Sequence, residues 1–566
     1  MRETVSQAKT IKGALFQLNA LDRLIGVVDP IRAKKRAVAR AQLGAMEALA
    51  GRGGYNGGRR DKASLSSWNP DAGSPNADIN PDLATLRSRA RDQGRNAPVV
   101  VGAVNMACSN VVGTGLSLTP APMASMLGLS PEALAVWVQN TRDRFNLWAA
   151  SMDVDLARKV NFYGFQDLAF RSVLESGDTF VVTPRVARAG RGAQLALQLL
   201  EADRICNPNR SANTETLVEG VEVDAATGES VACHVARIHP GEVRAAGNTW
   251  QRIVYRGAST GRRNVLHLFR VLRPGQVRGV PWIAPILEPL KQLDRYTEAE
   301  LNAAVTNALF SVFIKMDVDA FNELFDDKGQ DNYVKQASKW SGALESGKAV
   351  NLLPGEEVDT ATPGRPNAQF DPFVMSVLRQ IGMALEIPFE VLVMHFQSSY
   401  SAARGAMLLA WKFFRARRDW LATNLCQPVY ELWLTDEIAE GRISAPGFFA
   451  NETVRAAWCQ AVWTGDGPGS LDPAKEVTAA KGRVELGIST LDAESVAFDG
   501  VPWDTKHAQR AKEVAERRAA GLEPAAGAAA STPAAVPDPL ADDEDEEGEG
   551  DQQDQLRRRA GVANAE

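Results

Sequence analysis

Apolar and polar positions alternate with a short period between about residues 151 and 280. Runs such as DTFVVTPRV, LALQLLEADRI and NVLHLF are separated by Gly, Asn and Asp turns, a pattern typical of a mixed sheet with hairpins. In the same region, NFYGFQDLAFRSVLESG has apolar residues at helical spacing and predicts a helix that packs against the sheet. The fold class expected from this pattern is α+β.

Beyond residue 280 the apolar period becomes helical. The pattern predicts one helix over residues 289–314, in which Pro289 is tolerable only in the first turn. A second helix is predicted from PFVMSVLRQIGMALE, and a loop-rich insert at about 316–368 separates the two helices, which suggests a stalk with a tip. The residues of the first helix that are expected to pack are Leu290, Leu293, Leu301, Val305 and Val312.

The stretch FQSSYSAARGAML lies between Pro388 and a third helical segment, predicted over about 403–440. Its hydroxyl side chains are short and neutral and can hydrogen-bond, so they suit contact with a charged polymer that must not be held tightly. In the third helical segment, Pro428 is expected to kink or split the helix and Gly441 to close it.

The formal charge of −6, from 63 Lys and Arg and 69 Asp and Glu, is unevenly distributed. Residues 1–60 hold twelve bases and four acids and are predicted to form a basic helical arm that breaks at Pro30. Residues 536–555 hold ten acids and no base, a composition that predicts disorder. Without these ends and the last eleven residues, the body from 61 to 535 carries −6, so tight phosphate-driven binding to DNA is not expected of it.

The uncharged segment 96–131 is a candidate membrane span. Asn105, Ser109 and Asn110 interrupt it, and together with several prolines they leave no stretch of ~20 consecutive apolar residues. A buried helix followed by a strand is the better interpretation, and no membrane contact is expected.

Two patterns could carry chemistry, and both are weak. Ser259 in GASTG fits the G-x-S-x-G nucleophile pattern, but that elbow needs a helix directly after it, whereas the flanking QRIVYR and NVLHLF predict a hairpin turn. Cys233, His234 and His239 are the closest approach to a metal site, yet zinc sites usually use two ligand pairs and no second pair exists. No catalytic residue, metal or cofactor is therefore assigned, and no enzyme activity is expected.

Several stretches, in order between about residues 82 and 495, resemble phage portal proteins of the lambda type. They are LRSRARDQGRNAP, NVVGTGLSLTP, LQLLEADRI, HLFRVLRPGQVRGVPWIAPIL, LPGEE, SSYSAARGAMLLAWKFF and GSLDPAKEVTAAKGRVELGISTL. Their number and order make this resemblance far more specific than any single motif.

The resemblance implies a portal-like architecture of wing, stem, clip and crown. The implied regions are a basic arm (1–60), an α+β wing (61–283), stem helix 1 (284–314), a clip (315–368), stem helix 2 (369–387), a channel loop (388–401), a long wing helix with further wing (402–470), a helical crown (471–520) and a disordered acidic tail (521–566). The stem helices would pack against those of neighbouring subunits. The loop residues implied to face DNA are Gln397, Ser398, Ser399, Tyr400 and Ser401.

The function implied by the resemblance is a homo-oligomeric ring, a dodecamer, at one capsid vertex of the virion, through which double-stranded DNA is packaged and ejected. The implied partners are DNA bound without sequence specificity, the terminase large subunit, head-tail connector proteins and the major capsid or scaffold protein. Assembly would take place in the host cytoplasm. Two alternatives stay open: a serine hydrolase using Ser259, and a head adaptor ring that conducts no DNA.

Overall fold

The computed structural model of the chain describes residues 25–50, 56–58, 63–242, 247–308, 312–316, 356–360, 369–395, 399–469 and 473–522. The chain divides into two compact units. The first comprises Met1–Asp82 and Leu272–Val277, and the second comprises Leu83–Val271 and Arg278–Glu566.

The first unit contains helix α1, Pro30–Ala50, and the first turns of helix α2, Pro75–Asn96. The predicted break in the basic arm falls at Asp29, whose Oδ1 accepts hydrogen bonds at 3.1 Å from the first backbone N–H groups of α1. Pro30 fits the first helical position because that position needs no N–H donor.

The second unit opens with helices that confirm two predictions from the sequence. Helix α3, Pro98–Val111, is buried along most of its length and is followed by strand β1, Ser117–Pro120, as expected for the uncharged segment. Among the described residues, no helix combines the length and the apolar content needed to cross a bilayer. The helices that follow are α4 (Ala124–Leu127), α5 (Pro131–Ala150) and α6 (Phe162–Ser176), the last of which is the helix predicted beside the sheet.

The strands of the second unit form several small antiparallel sheets rather than the single mixed sheet expected from the sequence. The strands are β2 (Asp178–Val182), β3 (Arg185–Arg188), β4 (Arg191–Leu195), β5 (Gln198–Glu201), β6 (Leu217–Val218), β7 (Val221–Val223), β8 (Ser230–Ala236), β9 (Trp250–Val254) and β10 (Val265–Phe269). The order of the three-stranded sheet is β10-β2-β5, that of the four-stranded sheet is β6-β7-β8-β9, and β3 pairs with β4 in a hairpin.

The prediction of one helix over 289–314 is wrong at its C-terminal end. Helix α7 spans Leu287–Ala308, and Val312–Met316 forms strand β11 instead. This strand pairs antiparallel with β12, Glu356–Thr360, so that Val312 lies opposite Thr360. Val312 is therefore not part of the helical stripe: the sequence VFI has high strand propensity, and its pairing partner lies about forty residues away, where a local periodicity cannot detect it.

Between the insert and the strand Ala461–Thr464, the described residues form five α-helices. They are α8 (Phe370–Ala384), α9 (Phe389–Leu392), α10 (Tyr400–Leu421), α11 (Gln427–Ala439) and α12 (Glu452–Trp458). A π-helical turn, Ala422–Cys426, joins α10 to α11 just before Pro428, as expected for a proline that removes one hydrogen-bond donor. The predicted change at Pro428 is confirmed, and Gly441 closes the segment with φ of 72°.

The C-terminal part of the second unit consists of one strand followed by three helices among the described residues. Strand β13, Ala461–Thr464, pairs antiparallel with β1. The last helices are α13 (Pro473–Glu485), α14 (Leu491–Asp499) and α15 (Trp503–Ala519). The acidic tail lies outside the described residues.

An aromatic cluster centred on Phe145 connects distant parts of the second unit. The Phe145 ring of α5 is fully buried and lies 5.1 Å from the Trp433 ring of α11 and 5.8 Å from the Phe162 ring of α6. Edge-to-face contacts of this kind add to the free energy gained by burial. The core therefore joins segments that are almost three hundred residues apart.

A buried ionic network, centred on Asp178 at the start of β2, joins α2 to the three-stranded sheet. Asp178 Oδ1 accepts from Arg87 Nη2 of α2 at 2.7 Å, and Oδ2 accepts from Arg278 Nε at 2.6 Å. The ring Nε2 of His267, on β10, lies 3.2 Å from Oδ2. Asp178 and Arg278 are both fully buried, so the carboxylate and the two guanidinium groups compensate one another out of contact with water.

Burial and the charges of the network act on the pKa values of its members in opposite directions, and Asp178 and Arg87 remain ionised at neutral pH. Burial alone would raise the pKa of Asp178, but Arg278 and Arg87 hold it well below its ordinary value of 3.8. Burial lowers the pKa of Arg87 to about 10, which leaves it protonated at neutral pH. Burial also lowers the pKa of His267 below 6.5, so this ring stays neutral inside the network.

Replacing Asp178 with Asn should destabilise the second unit by about 3–5 kcal/mol, because two buried arginines would lose their shared counter-charge. Tryptophan fluorescence during urea denaturation at pH 7 measures this change. Asp143→Asn, at an exposed position on α5, is the matched control and should stay within about 0.5 kcal/mol of the parent protein. Equal stability of the two variants would contradict the role assigned to Asp178.

Candidate functional site

The candidate site is the segment between α8 and α10, which contains the predicted channel loop 388–401. Fewer residues than predicted form a loop, because Phe389–Leu392 forms helix α9 and α10 begins at Tyr400. Ser399 is exposed directly before α10. Tyr400 and Ser401 are the first residues of the helix rather than loop residues, and Gln397 and Ser398 lie outside the described residues.

The start of the segment turns back tightly over the end of α8. The Ile387 N–H donates to Gly382 O at 2.9 Å, and a Cβ at position 382 would lie only 2.7 Å from the Ile387 carbonyl oxygen. A side chain larger than hydrogen therefore does not fit at residue 382. Leu385 and Ile387 are buried and anchor the turn in the core.

Two non-glycine residues with left-handed backbone bracket α9. Glu386 has φ of 59° and Met394 has φ of 54°, a conformation that costs L-residues roughly 1–2 kcal/mol each. Such strain persists only where surrounding contacts fix the backbone. The segment is thus held in a defined shape by its neighbours rather than by its own conformational preference.

An ion pair fixes Glu386 to α10. Arg417 Nη2 donates to Glu386 Oε1 at 2.9 Å, and the guanidinium lies over the Phe413 ring, 4.7 Å from its centroid. Arg417 is almost fully buried, and burial, with a smaller contribution from Arg270, lowers its pKa, which the Glu386 carboxylate partly offsets. The Glu386–Arg417 pair is the contact that ties the strained turn to the long helix.

The predicted stem residues separate into two groups. Leu290 and Leu293, in the first turns of α7, are buried in the core of the chain itself. Leu301 and Val305, further along the same helix, are 63% and 51% exposed. The first pair is therefore already packed within one chain, and only the second pair offers an apolar surface to a neighbour.

The GASTG motif forms a hairpin turn, as predicted. The Gly257 N–H donates to Arg262 O at 2.9 Å, and the chain continues into strand β10 rather than into a helix. Ser259 is exposed at the tip of this turn. The strand-turn-helix geometry that a nucleophile elbow requires is therefore not formed around Ser259.

The metal ligand candidates from the sequence are not brought together. Cys233 is fully buried and burial raises the pKa of its thiol to about 12, whereas His234 points to the other face of β8 and pairs with Glu222 Oε1 at 2.7 Å. Adjacent residues of a strand face opposite sides, which explains the separation.

The structure instead places His239 beside Glu201 and Asp203, a set that the sequence did not suggest. Their candidate ligand atoms lie within 4.8 Å of one another. However, His239 Nδ1 accepts the Gly241 N–H at 3.0 Å, so the neutral ring carries its proton on Nε2, the atom that faces the carboxylates. Arg91 also forms ion pairs with both acids. This arrangement is a salt-bridge cluster rather than a metal site.

Comparison with known proteins gives consistent matches. Residues 61–418 match the family described as phage portal protein, lambda family. The portal protein of Escherichia phage N15 is 27% identical over 503 residues, covering 85% of this chain and 94% of that protein. Portal protein B of Escherichia phage lambda is 26% identical over 501 residues, covering 84% of this chain and 92% of that protein.

Solved structures that match part of the chain include a protein from the neck of a native gene transfer agent particle computed with C12 symmetry. It has a TM-score of 0.38 and 14% identity, and the match covers 67% of this chain and 93% of that chain. A chain from the virion of the same kind of particle gives a TM-score of 0.38 with 14% identity, covering 69% of this chain and 94% of that chain.

The family match includes the α+β region, α7, α8 and the candidate channel segment, and these elements define a structural component of the phage virion. The match spans well over half of the chain. The chain belongs to the lambda family of phage portal proteins. Its place is accordingly in the virion, at a capsid vertex.

Replacing Arg417 with Met should loosen the channel segment, because the ion pair with Glu386 is lost while the aliphatic contact with Phe413 is kept. Backbone amides of residues 386–395 should exchange with deuterium about fivefold faster, the effect of losing a partly exposed charged hydrogen bond. Hydrogen-deuterium exchange with mass spectrometry measures this rate.

Glu386→Gln should give a similar acceleration, and the double variant should add little to it, because either change removes the same pair. Arg415→Met, at an exposed position of α10, serves as the control. Unchanged exchange in both Glu386→Gln and Arg417→Met would show that the pair does not hold the segment.

Proposed function

We propose that the chain forms a homo-oligomeric ring, a dodecamer, whose channel passes double-stranded DNA during packaging and ejection. The observation that carries this proposal is membership of the portal family over a match that includes α7, α8 and the candidate channel segment. The ring also serves as a docking site for the terminase large subunit and for head-tail connector proteins, and it is held by the major capsid or scaffold protein. ATP hydrolysis belongs to the motor, since the sequence contains no Walker motif.

The exposed part of α7 supports ring formation. Leu301 and Val305 lie one helical turn apart and form an apolar stripe on a helix that has no buried residue beyond Leu293 in its described part. Exposure of such an apolar stripe to water is unfavourable, so a protein surface that covers it is stabilising. In a ring every subunit can cover the stripe of the next one, because repeated heterologous contacts close when the rotation divides the circle.

The charge balance supports a channel that does not grip its cargo. Each phosphate that a protein neutralises releases counterions and strengthens binding, which would slow the passage of a long polymer. The body between residues 61 and 535 is slightly acidic, and Ser399, the described residue of the predicted DNA-facing set that precedes α10, is small and neutral. Both features favour weak and transient contacts with DNA.

Leu301→Asp and Val305→Asp, singly and together, should reduce ring assembly by about tenfold or more, because an apolar contact would be replaced by a buried charge. Negative-stain electron microscopy at micromolar protein concentration measures the fraction of particles that are rings with a central hole. Ala299→Asp adds the same charge to the opposite face of α7 and should leave assembly intact. Normal rings from the double variant would exclude the stripe as a subunit contact.

Ser399→Glu combined with Ser401→Glu should leave rings intact and reduce DNA filling several-fold, because two carboxylates per subunit would repel the phosphates. An in vitro packaging assay that measures nuclease-protected DNA per procapsid tests this. The matched control is Ser399→Ala with Ser401→Ala, which removes the hydroxyls without adding charge and should fill procapsids almost normally. Unimpaired filling by the Glu variant would favour a ring in which these residues do not face DNA.

A further inference from the structure

The three C-terminal helices α13, α14 and α15 have no core of their own. None of their described residues is buried. Large apolar side chains on and beside them are more than half exposed, and these are Val477, Leu486, Ile488, Leu491, Phe498 and Leu522. Helices of this length with so much exposed apolar surface require a partner to cover them.

The most exposed of these side chains form a rigid protrusion at the turn between α13 and α14. Leu486 and Ile488, which we call the knob, are 78% and 72% exposed. The Ile488 N–H donates to Arg483 O at 3.1 Å and the Gly487 N–H donates to Val484 O at 3.0 Å, the hydrogen-bond pattern of a Schellman motif with Gly487 at φ of 71°. The knob is therefore held by backbone hydrogen bonds.

The sequence explains why Ile488 is left exposed. In a Schellman motif the residue after the glycine usually packs on the residue three positions before the helix end, which here is Arg483. Arg483 instead forms an ion pair with Glu494 of α14, at 2.6 Å between Nη2 and Oε2, which also braces α13 against α14. The usual intrachain partner of Ile488 is thus a charged side chain engaged elsewhere.

The same part of the chain contains an apolar pocket, which we call the socket. It has a volume of about 580 Å³ and lies between α10 and the helices α13 and α14. Its apolar walls are formed by Met407, Leu408 and Trp411 of α10 together with Val477 and Phe498. A pocket of this size and lining accepts a pair of aliphatic side chains.

The knob does not fill the socket of its own chain. The wall of the socket follows α13 as far as Arg483, but neither Leu486 nor Ile488 is part of it. Both knob side chains are largely exposed instead. Each chain thus carries an exposed apolar pair and an open apolar pocket that this pair does not occupy.

We infer that the knob of one chain inserts into the socket of a second copy of the same chain, and so forms a subunit contact around the ring. This inference rests on the proposed ring. Both halves of the contact are on every chain, so a closed ring leaves no knob exposed and no socket empty. The charges on the α10 side are also complementary: Glu485 and Asp492 are exposed acids beside the knob, whereas α10 contributes Arg404 to the socket and carries exposed Lys412 and Arg415 further along the helix.

Disulfide trapping in the full-length protein tests the contact directly. Ile488→Cys and Leu408→Cys place one thiol on the knob and one at the rim of the socket. After mild oxidation, the double variant should give a ladder of covalent oligomers on a non-reducing denaturing gel. Each single variant should give none, because four of the five native cysteines are buried and Cys206 is half-buried. Leu522→Cys with Leu408→Cys, which uses an equally exposed position outside the knob, should also give no ladder.

A second variant measures the strength of the contact. Leu486→Asp with Ile488→Asp should raise the protein concentration needed for half-maximal ring assembly by about tenfold or more, since two buried aliphatic side chains become charged. Leu522→Asp is the control and should leave this concentration unchanged. Circular dichroism should show the same helix content in all three proteins, because the substituted positions make no core contacts.

The outcomes separate this inference from the proposed function. Absence of rings from the parent protein would overturn both. Rings that form normally in the Leu486→Asp, Ile488→Asp variant, or that give no ladder with the cysteine pair, would overturn the knob-and-socket contact and leave the ring proposal standing. Crosslinking of Ile488→Cys alone would also overturn the contact, because it would place two knobs against each other. Capture of another phage protein in the socket of an intact ring would do the same.

Discussion

The carboxylate of Asp178 is the buried charge on which the arrangement of the second unit depends. It receives hydrogen bonds from Arg87 and Arg278, and the Gly279 N–H adds one more at 3.1 Å. Arg278 in turn donates to the backbone carbonyl oxygens of Ala202, Ile205 and Glu219. One side chain therefore fixes a helix, a strand and two connecting segments. Removing one partner from such a network lowers the free energy of unfolding by more than the whole network contributes to it, because the remaining charges stay buried without compensation.

The network also sets the position at which α7 begins. Gly279 follows Arg278 directly, and a Cβ at this position would lie 2.1 Å from the carbonyl oxygen of Gly177. The two backbones can approach this closely because both residues are glycines, and Gly177 also has φ of 88°, which favours glycine. The backbone N–H of Trp282 then donates to Leu174 O at 2.9 Å, and α7 starts at Leu287. The beginning of α7 is thus fixed by intrachain contacts, whereas Leu301 and Val305 further along the helix are more than half exposed.

Most elements with a strong period could be predicted from the sequence, including α6, α8 and the α+β class. The end of α7 could not, because β11 is stabilised by pairing with a strand near the end of the insert, and local periodicity carries no information about that partner. The ionic network was also missed. Arg87 lies on a helix rich in basic residues, a pattern typical of a solvent-exposed helix face. The structure instead shows Arg87 buried in an ion pair with Asp178. A charged residue inside an apolar run, such as Arg278 in QVRGVPW, was the one signal that could have indicated it.

The candidate channel segment shows how a buried cation can support a strained turn. Guanidinium groups give strong support because they form several hydrogen bonds at once. Arg417 is buried against Phe413 and its charge is matched by Glu386, so its positive charge faces the protein rather than solvent. The strained backbone at Glu386 is the conformational cost of placing that carboxylate over the guanidinium, and a glycine there would remove the strain together with the pair.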